Sequence, residues 1–451
     1  MELNNIKRVY LVGIGGIGMS GLARYFHNRN CLVKGYDRTP TALTDALQAE
    51  GIQVTFDDSI GSVAAEFHEN LEGTLVIYTP AIPKDSAILN YFTNAGFVLK
   101  KRSEVLGIIS KGMFTIAVAG THGKTTTSTL VAHILKHTGF DCTAFLGGIS
   151  TNYDTNVLFG SNDYLVVEAD EYDRSFLRLH PDIAVVTSMD PDHLDIYGSE
   201  EHVKESFRMF VSQLKAGGKL IRKEGLALEG GVSYSASGKC DAYAENVRVE
   251  NGHFVFDFVD KDVRIDSIVM RLPGLHNIEN AVGAIEAALT LSIEPGRIKK
   301  AVEEFKGVKR RFEYIVNTDN VIYIDDYAHH PEELRACIGA VKTLYPERRL
   351  TVVFQPHLYS RTRDFAGGFA EVLSMADQLI LLDIYPAREL PIPGVSSDII
   401  FDRVDSIDKR KCSKEELLPI IETSRPDVLL TVGAGDIDTL VEPLKTALSN
   451  A

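Results

Sequence analysis

The sequence predicts an α/β fold of about three domains, with mainly parallel sheets and a small antiparallel part. The chain has 451 residues, and a single hydrophobic core stops growing well below that length. Short runs rich in Val, Ile and Leu alternate with helical patterns and lack a period of two, which is typical of strands buried on both faces of a parallel sheet. The segment Tyr243–Val259 instead has turn residues at 250–252 between two strand-like runs, which predicts the antiparallel part.

Two segments that precede a new strand, Gly107–Gly112 and Gly307–Phe312, are the predicted domain boundaries. The predicted domains are therefore residues 1–107, 108–308 and 309–451. The apolar runs that predict the strands are Arg8–Val12, Leu75–Tyr78, Thr115–Ala119, Tyr164–Val167, Ala184–Thr187, Val321–Ile324, Thr351–Phe354, Leu379–Leu382 and Val428–Val432.

The composition narrows the class of protein. The chain has 47 Lys and Arg against 62 Asp and Glu, a net charge of −15, which disfavours a protein that binds nucleic acid through a broad basic face. The five cysteines lie far apart without a CxxC pair, which favours reduced thiols in the cytoplasm over a zinc site or a disulfide framework. No apolar run is long enough for a membrane span. Whether the chain is a monomer or a dimer stays open.

A glycine loop follows the first predicted strand. Residues 13–18 read Gly-Ile-Gly-Gly-Ile-Gly and open a helix, and Asp37 ends the next strand. Glycines let the backbone approach a diphosphate, and a helix N-terminus favours the negative charge. The pattern therefore predicts a nucleotide diphosphate site, with Asp37 at a ribose. It does not separate a dinucleotide from another nucleotide diphosphate.

A phosphate loop follows the predicted strand Thr115–Ala119, where residues 120–127 read Gly-Thr-His-Gly-Lys-Thr-Thr-Thr. Lys124 can meet the β- and γ-phosphates, and the Thr125 hydroxyl can reach Mg²⁺. The strict Walker pattern needs Gly at 118, where this chain has Val118, so the loop is a divergent form.

An acid and a histidine follow two further buried strands. Glu168 comes directly after Tyr164–Val167, and the strand Ala184–Thr187 runs into Asp192-His193. The loops at the carboxyl ends of parallel strands converge on one crevice. Glu168 and His193 are therefore predicted to face the same phosphates and to hold metal ions there.

Polar clusters continue downstream. Asn277 and Asn280 share one face at the start of an apolar helix, where capping is the alternative role. Three cations, Lys309–Arg311, precede Phe312. The strand Val321–Ile324 ends in Asp325-Asp326-Tyr327-Ala328-His329-His330-Pro331, and a later strand ends in a segment whose Arg361 and Arg363 can grip a carboxylate.

Eight sequence motifs follow one another along the chain. They are GIGGIGMSG at 13–21, GTHGKTT at 120–126, EADE at 168–171, DH at 192–193, HNIEN at 276–280, RRF at 310–312, DDYAHHP at 325–331 and QPHLYSRTRD at 355–364. These motifs, in this order, resemble those of the Mur ligase family over essentially the whole chain. The resemblance implies a Rossmann-like N-terminal domain for a UDP-sugar, a central P-loop-type ATPase domain and a Rossmann-like C-terminal domain for an amino acid.

The resemblance also implies a reaction. It is closest to the branch of ATP-dependent, amide-forming ligases that joins L-alanine to the lactyl carboxylate of UDP-N-acetylmuramate in peptidoglycan precursor synthesis. The carboxylate would form an acyl phosphate, and ADP and phosphate would be released, with Mg²⁺ or Mn²⁺ as the metal. The alternatives are another ligase of the family, acting on a recycled tripeptide or at a later step, and a nicotinamide-dependent oxidoreductase.

Site residues follow from matching the family motifs position by position. The catalytic residues would be Lys124, Glu168, His193, Arg311 and Asp326, and the metal ligands Thr125, Glu168 and His193. ATP would be bound by Gly120, Thr121, His122, Gly123, Lys124, Thr125, Thr126, Asn277, Asn280, Arg311 and Asp326. The UDP-sugar would be bound by Gly13, Gly15, Gly16, Ile17, Gly18, Met19, Ser20 and Asp37. The amino acid would be bound by His329, His357 and Arg361, and the histidine that accepts the amine proton stays open.

Overall fold

The computed structural model describes residues 3–68, 71–190, 197–387, 389–405 and 408–449. It confirms the α/β class, because the strands form three sheets in which parallel pairs predominate. The chain divides into two compact units. The first comprises residues 1–245, 258–266 and 279–305, and the second comprises 246–257, 267–278 and 306–451.

The first sheet has five parallel strands, and the chain runs outward from its central strand in both directions. The strands are β1 (Arg8–Val12), β2 (Leu32–Tyr36), β3 (Gln53–Thr55), β4 (Thr74–Tyr78) and β5 (Val98–Lys101). Their order is β3-β2-β1-β4-β5, so a crevice opens beyond the carboxyl end of β1, where the strand order reverses. The helices are α1 (Ile17–Asn28), α2 (Ala42–Ala49), α3 (Ala87–Asn94) and α4 (Arg102–Gly112).

The second sheet has ten strands, with the phosphate loop at the end of its first strand. The strands are β6 (Phe114–Ala119), β7 (Thr143–Ser150), β8 (Thr155–Leu158), β9 (Tyr164–Ala169), β10 (Ile183–Val186), β11 (Lys219–Lys223), β12 (Val232–Ser235), β13 (Ala242–Glu250), β14 (His253–Val259) and β15 (Arg264–Met270). The order is β15-β14-β13-β12-β11-β10-β6-β9-β7-β8, so β6 lies between β9 and β10. The helices are α5 (Lys124–His137), α6 (Glu200–Val211), α7 (Leu275–Thr290) and α8 (Pro295–Glu304).

The third sheet belongs to the second unit and has an apolar cluster on each face. The strands are β16 (Glu313–Asn317), β17 (Ile322–Asp326), β18 (Leu350–Phe354), β19 (Gln378–Leu381), β20 (Asp408–Lys411) and β21 (Val428–Val432). The order is β16-β17-β21-β18-β19-β20, and only β16 pairs antiparallel. The helices are α9 (Pro331–Leu344), α10 (Tyr359–Leu373), α11 (Asp398–Phe401), α12 (Lys414–Ser424) and α13 (Val441–Ser449).

The predicted strands match the observed ones closely, with ends that differ by one or two residues. The predicted antiparallel segment is β13 and β14, joined at Asn251 and Gly252, which both have the positive φ of a tight hairpin turn. Two antiparallel pairs, β7 with β8 and β16 with β17, were not predicted. The position 107/108 falls inside α4, and the domain boundaries stay predictions. No helix of the described residues is long and apolar enough to cross a bilayer.

Helix α1 is fixed to the second sheet through a buried polar contact. The Arg24 guanidinium donates to Asn156 Oδ1 at 2.6 Å, and Asn156 Nδ2 donates to the carbonyl of Ile17 at 2.5 Å. Tyr25 of α1 and Phe145 of β7 belong to one apolar cluster. Because α1 begins at the glycine loop, these contacts set the position of that loop relative to the central sheet.

Candidate active site

The phosphate loop connects β6 to α5 and leaves no space for side chains at two glycines. Gly120 and Gly123 have φ values of 146° and 80°. A β carbon on Gly120 would overlap the Thr187 hydroxyl, and one on Gly123 would lie 2.6 Å from Asn280 Oδ1. Both positions therefore require glycine, and α5 begins with Lys124 directly after the loop.

Residues after β10 hold this loop, and sequence reasoning missed them. Ser188 Oγ accepts the N–H of His122 at 2.7 Å and lies 2.9 Å from the Thr121 hydroxyl. The Thr187 hydroxyl donates to the carbonyls of Ala119, at 3.1 Å, and His122. A pair of small polar residues at the end of a buried strand is the signal that could have identified them.

Lys124 lies in a buried ion pair. Its ammonium is 2.7 Å from Glu171 Oε2 and donates to the carbonyl of Gly120 at 2.5 Å. Burial disfavours the ammonium, but the carboxylates of Glu171 and Glu168 outweigh that effect and raise the pKa of Lys124. The lysine therefore carries its charge at the start of α5. Glu171 was in a quoted motif, but it was not predicted as a site residue.

Glu168 lies beside the phosphate loop, as predicted. β9 pairs in parallel with β6, and Glu168 is in register with Val118, two residues before the loop. The carboxylate occupies a niche against β7, where a β carbon on Gly147 would overlap both oxygens. Thr125 lies in the first turn of α5, so a hydroxyl and a carboxylate, the hard oxygen donors that Mg²⁺ prefers, flank the same loop. The other predicted ligand, His193, lies outside the described residues.

The two predicted asparagines are buried on α7. Asn280 lies against Gly123 of the phosphate loop, which agrees with its predicted place at the nucleotide. Asn277 Nδ2 donates to the carbonyl of Pro273 at 2.7 Å. This contact ties the first turn of α7 to the preceding chain, so Asn277 has a structural contact beside its predicted role.

The glycine loop lies at the end of β1, next to the end of β2. Gly13 has a φ of 89°, and the loop continues into α1 at Ile17, with Met19 and Ser20 buried in that helix. Asp37 accepts the N–H of Gly15 at 2.7 Å. The acid therefore holds the loop itself in this structure, and its predicted contact with a ribose stays a prediction.

The two arginines of the RRF motif differ in their contacts with buried groups. Arg310 Nε donates to the fully buried Asp325 at 3.1 Å, and its Nη2 donates to the carbonyl of Gly433 at 2.6 Å. Both guanidinium groups lie over the Tyr327 ring, that of Arg310 at 5.2 Å and that of Arg311 at 5.3 Å from its centroid. Arg310 therefore has a structural contact with a buried carboxylate, and the catalytic role of Arg311 stays a prediction.

Asp326 is half-buried at the end of β17 and accepts backbone N–H groups with both oxygens. The donors are Phe312, at 2.6 Å, and Ala328, at 2.7 Å. Burial raises the pKa of Asp326 to about 6, against the opposing effects of Arg311 and these N–H groups. The carboxylate therefore fixes the RRF turn beside β17, and its predicted role at the ribose stays a prediction.

The three predicted amino-acid residues lie together in the second unit. The rings of His329 and His357 are 6.0 Å apart, and Arg361 Nη1 is 3.4 Å from His357 Nδ1. Burial, with help from His329 and Arg361, lowers the pKa of His357 to about 4. Tyr385, which sequence reasoning missed, stacks on His357 at 5.9 Å. The cluster presents a permanent cation among neutral rings, which suits a small carboxylate.

His329 has a defined tautomer when it is neutral. Its Nδ1 lies 2.9 Å from the carbonyl oxygen of Tyr327, which can only accept, so Nδ1 carries the proton and Nε2 is left as an acceptor. Burial lowers the pKa of His329, although Glu333 opposes that effect from 3.4 Å. The imidazole is therefore a neutral proton acceptor beside Arg361.

The phosphate loop with its lysine and adjacent acid defines a nucleoside triphosphate-binding protein of the P-loop class. The whole chain is also similar to known proteins. The model of the Mur ligase family catalytic domain matches residues 8–113, that of the Mur ligase middle domain 118–288, and that of the Mur ligase glutamate ligase domain 310–435. The chain belongs to the Mur ligase family and is an ATP-dependent ligase.

Individual relatives cover the chain from end to end. UDP-N-acetylmuramate--L-alanine ligase from Parabacteroides distasonis is 50% identical, over 99% of this chain and 98% of that protein. The ligase of the same name from Cytophaga hutchinsonii is 48% identical, over 99% and 97%. The crystal structure of UDP-N-acetylmuramate-alanine ligase from Thermotoga maritima matches with a TM-score of 0.84 and 27% identity, over 98% and 99%.

Proposed function

We propose that the chain joins L-alanine to the lactyl carboxylate of UDP-N-acetylmuramate, with ATP converted to ADP and phosphate, in peptidoglycan precursor synthesis. The observation that carries this proposal is the full-length similarity, at 46–50% identity, to ligases of that name. The second argument is that the first unit has a phosphate loop and that the second unit has a cluster around Arg361 suited to a small amino acid. The reaction is placed in the cytoplasm, where ATP is available.

A carboxylate cannot be attacked directly by an amine, because an oxide ion is too poor a leaving group. In the proposed first step, a lactyl carboxylate oxygen attacks the γ-phosphorus of ATP, the bond to the bridging oxygen breaks, and an acyl phosphate and ADP form. Lys124 and Arg311 stabilise the negative charge on the phosphoryl group in transfer. Asn277 and Asn280 serve the nucleotide end, and Asp326 serves the ribose.

The phosphate loop and Glu168 also fit a divalent metal. Thr125 and Glu168 would hold Mg²⁺ or Mn²⁺ together with phosphate oxygens and water, and His193 is proposed for a second ion. Oxygen donors from few residues are the usual protein contribution at a magnesium–phosphate site. When bound, the metal offsets the charge of the phosphates.

Gly147→Ala tests the position of the Glu168 carboxylate. The added methyl group would displace both carboxylate oxygens, so we expect the Mg²⁺ concentration for half-maximal activity to rise about 10- to 100-fold. A titration of activity against Mg²⁺ at a fixed ATP concentration measures this half-maximal concentration. Gly112→Ala is the matched control, because a β carbon there meets nothing within 4 Å. An unchanged Mg²⁺ dependence in Gly147→Ala would remove Glu168 from the metal site.

In the second step, the amine of L-alanine attacks the acyl carbon, and the tetrahedral intermediate expels phosphate. Arg361 and His357 bind the amino-acid carboxylate, and His329 Nε2 accepts a proton from the ammonium group. The neutral tautomer of His329, fixed by the carbonyl of Tyr327, supports this assignment. The glycine loop, with Asp37, binds the UDP-sugar.

Phosphate release across a panel of amino acids and acceptors tests the proposed function. We expect release to require both UDP-N-acetylmuramate and an amino acid, with L-alanine giving the highest kcat/KM among alanine, glycine and serine. Omission of either substrate is the control. Higher kcat/KM with a tripeptide would favour the recycling alternative, and ATP hydrolysis without an acceptor would contradict a ligase.

A further inference from the structure

Arg102 opens α4, and its guanidinium lies at the glycine loop. A β carbon on Gly18 would overlap Arg102 Nη1 and lie 3.1 Å from its Cδ and Cζ atoms. Gly18 therefore does more than permit a close approach of substrate to the loop. Its missing side chain is the space that the guanidinium occupies, at the start of α1.

The same guanidinium reaches the segment that carries Glu168. Arg102 Nη2 donates to Asp170 Oδ2 at 3.1 Å. Arg102, Asp170 and Glu168 line one small cavity of about 10 Å³. A single cation thus lies between the loop proposed for the UDP-sugar and the carboxylate proposed for the metal. The Asp170 side chain is 37% exposed. Water can therefore solvate its carboxylate when Arg102 leaves it for another anion, and loss of this ion pair costs little free energy.

The backbone that carries Arg102 is held in place by close packing. A β carbon on Gly107 would lie 2.5 Å from the carbonyl oxygen of Arg178, so α4 touches the backbone of the segment after β9. The Ser110 hydroxyl donates to the carbonyl of Gly107 at 2.9 Å and accepts the N–H of His180 at 3.2 Å. These contacts fix α4, and the direction of the guanidinium is then set by Gly18 and Asp170.

A cation at a helix N-terminus is unfavourable on its own, because the dipole of the helix has the same sign there. An oxyanion beside Gly18 would be attracted by the guanidinium and by the N–H groups of the first turn of α1. Arginine suits this position, since its planar fork can bind an oxyanion with two hydrogen bonds.

We propose that Arg102 binds an oxyanion of the UDP-sugar and gives up Asp170 as it does so. The inference rests on the proposed function and adds a binding residue to it. The oxyanion is either the diphosphate or the lactyl carboxylate, since both have the required chemistry. In either case Arg102 holds the sugar at the N-terminus of α1, next to the segment that carries Glu168.

Calorimetry with two sugars and Arg102→Gln tests this proposal. UDP-N-acetylglucosamine has the same diphosphate as UDP-N-acetylmuramate but lacks the lactyl carboxylate. We expect Arg102→Gln to weaken UDP-N-acetylmuramate binding about 10- to 100-fold, as loss of a charged hydrogen bond implies. An equal loss for both sugars assigns Arg102 to the diphosphate, and a loss confined to UDP-N-acetylmuramate assigns it to the carboxylate.

Unchanged affinity for both sugars would overturn the role of Arg102. A wild-type protein that binds neither sugar would instead contradict the proposed function, so the two failures are distinguishable.

ADP binding, measured on the same samples, should not change. Arg29→Gln, at the other end of α1, is the matched control. If Arg102→Gln fails to bind ADP, Arg102→Lys is measured in its place. We expect Arg102→Lys to bind the sugar with intermediate affinity, because lysine keeps the positive charge but lacks the planar guanidinium that makes two hydrogen bonds.

Discussion

Replacement of Lys124 by alanine should lower turnover about 10²- to 10³-fold, the usual effect of removing one preorganised charge from a transition state. Lys124 begins α5 directly after the loop, has a side chain that is 14% exposed, and carries its charge because Glu171 and Glu168 raise its pKa. When ATP binds, its phosphate oxygens lie at this ammonium group, and transfer of the γ-phosphoryl group increases the negative charge there. The loss should appear in kcat, measured as phosphate release at saturating substrates.

The ion pair of Lys124 with Glu171 provides the control. Lys124→Ala leaves the buried Glu171 carboxylate without its 2.7 Å partner, and such a charge destabilises a fold. The double variant Lys124→Ala/Glu171→Gln removes that charge as well. We expect it to regain thermal stability but not turnover. Recovery of turnover in the double variant would show that Lys124 acts only as a structural counterion.

Replacement of His329 by glutamine should lower amide formation about 10²- to 10⁴-fold, the range for loss of a positioned general base. Glutamine keeps a polar side chain but cannot accept the amine proton. Acyl phosphate formation should continue, because it needs no proton acceptor. Trapping the intermediate with hydroxylamine, alongside product measurement, separates the two steps.

The pH profile distinguishes a base from a binding residue. Burial lowers the pKa of His329, so its imidazole stays neutral, and able to accept a proton, below the usual histidine range. The acid limb of the wild-type profile should therefore lie below about pH 6.5. In His329→Gln, kcat/KM for L-alanine should rise continuously with pH, as the free amine forms in solution. His330→Gln is the control, because that ring packs on Phe365 at 4.5 Å. A wild-type profile in His329→Gln would contradict the assignment.

The parts of the fold that could be predicted are those set by local pattern. Continuous apolar runs predicted the buried strands, and Asn251-Gly252 predicted the β13–β14 turn. Parallel strands also predicted Glu168 beside the phosphate loop, because the carboxyl ends of neighbouring parallel strands meet at one edge of the sheet. The antiparallel edge strand β16 was missed, since its apolar run is only three residues long, between Glu313 and Asn317, and most of its residues are half-buried.

Contacts between distant segments could not be read from motifs. The sequence does not distinguish Arg310 from Arg311, and the hydrogen bonds of Arg310 to the buried Asp325 and to the carbonyl of Gly433 give it a structural role. Asp37 fits a ribose ligand by position, yet its carboxylate accepts the N–H of Gly15. Gly147 lies in none of the motifs, and the structure alone shows that its missing side chain leaves the space for the Glu168 carboxylate. Each of these contacts joins segments that are distant in the sequence, so no local motif indicates it.

Transfer of ¹⁸O from the lactyl carboxylate to phosphate tests the proposed chemistry most directly. UDP-N-acetylmuramate labelled in both carboxylate oxygens is turned over with ATP and L-alanine, and the released phosphate is analysed by mass spectrometry. An acyl phosphate intermediate requires one labelled oxygen in each phosphate and one in the amide product. Unlabelled phosphate would contradict activation of the carboxylate by the γ-phosphoryl group of ATP.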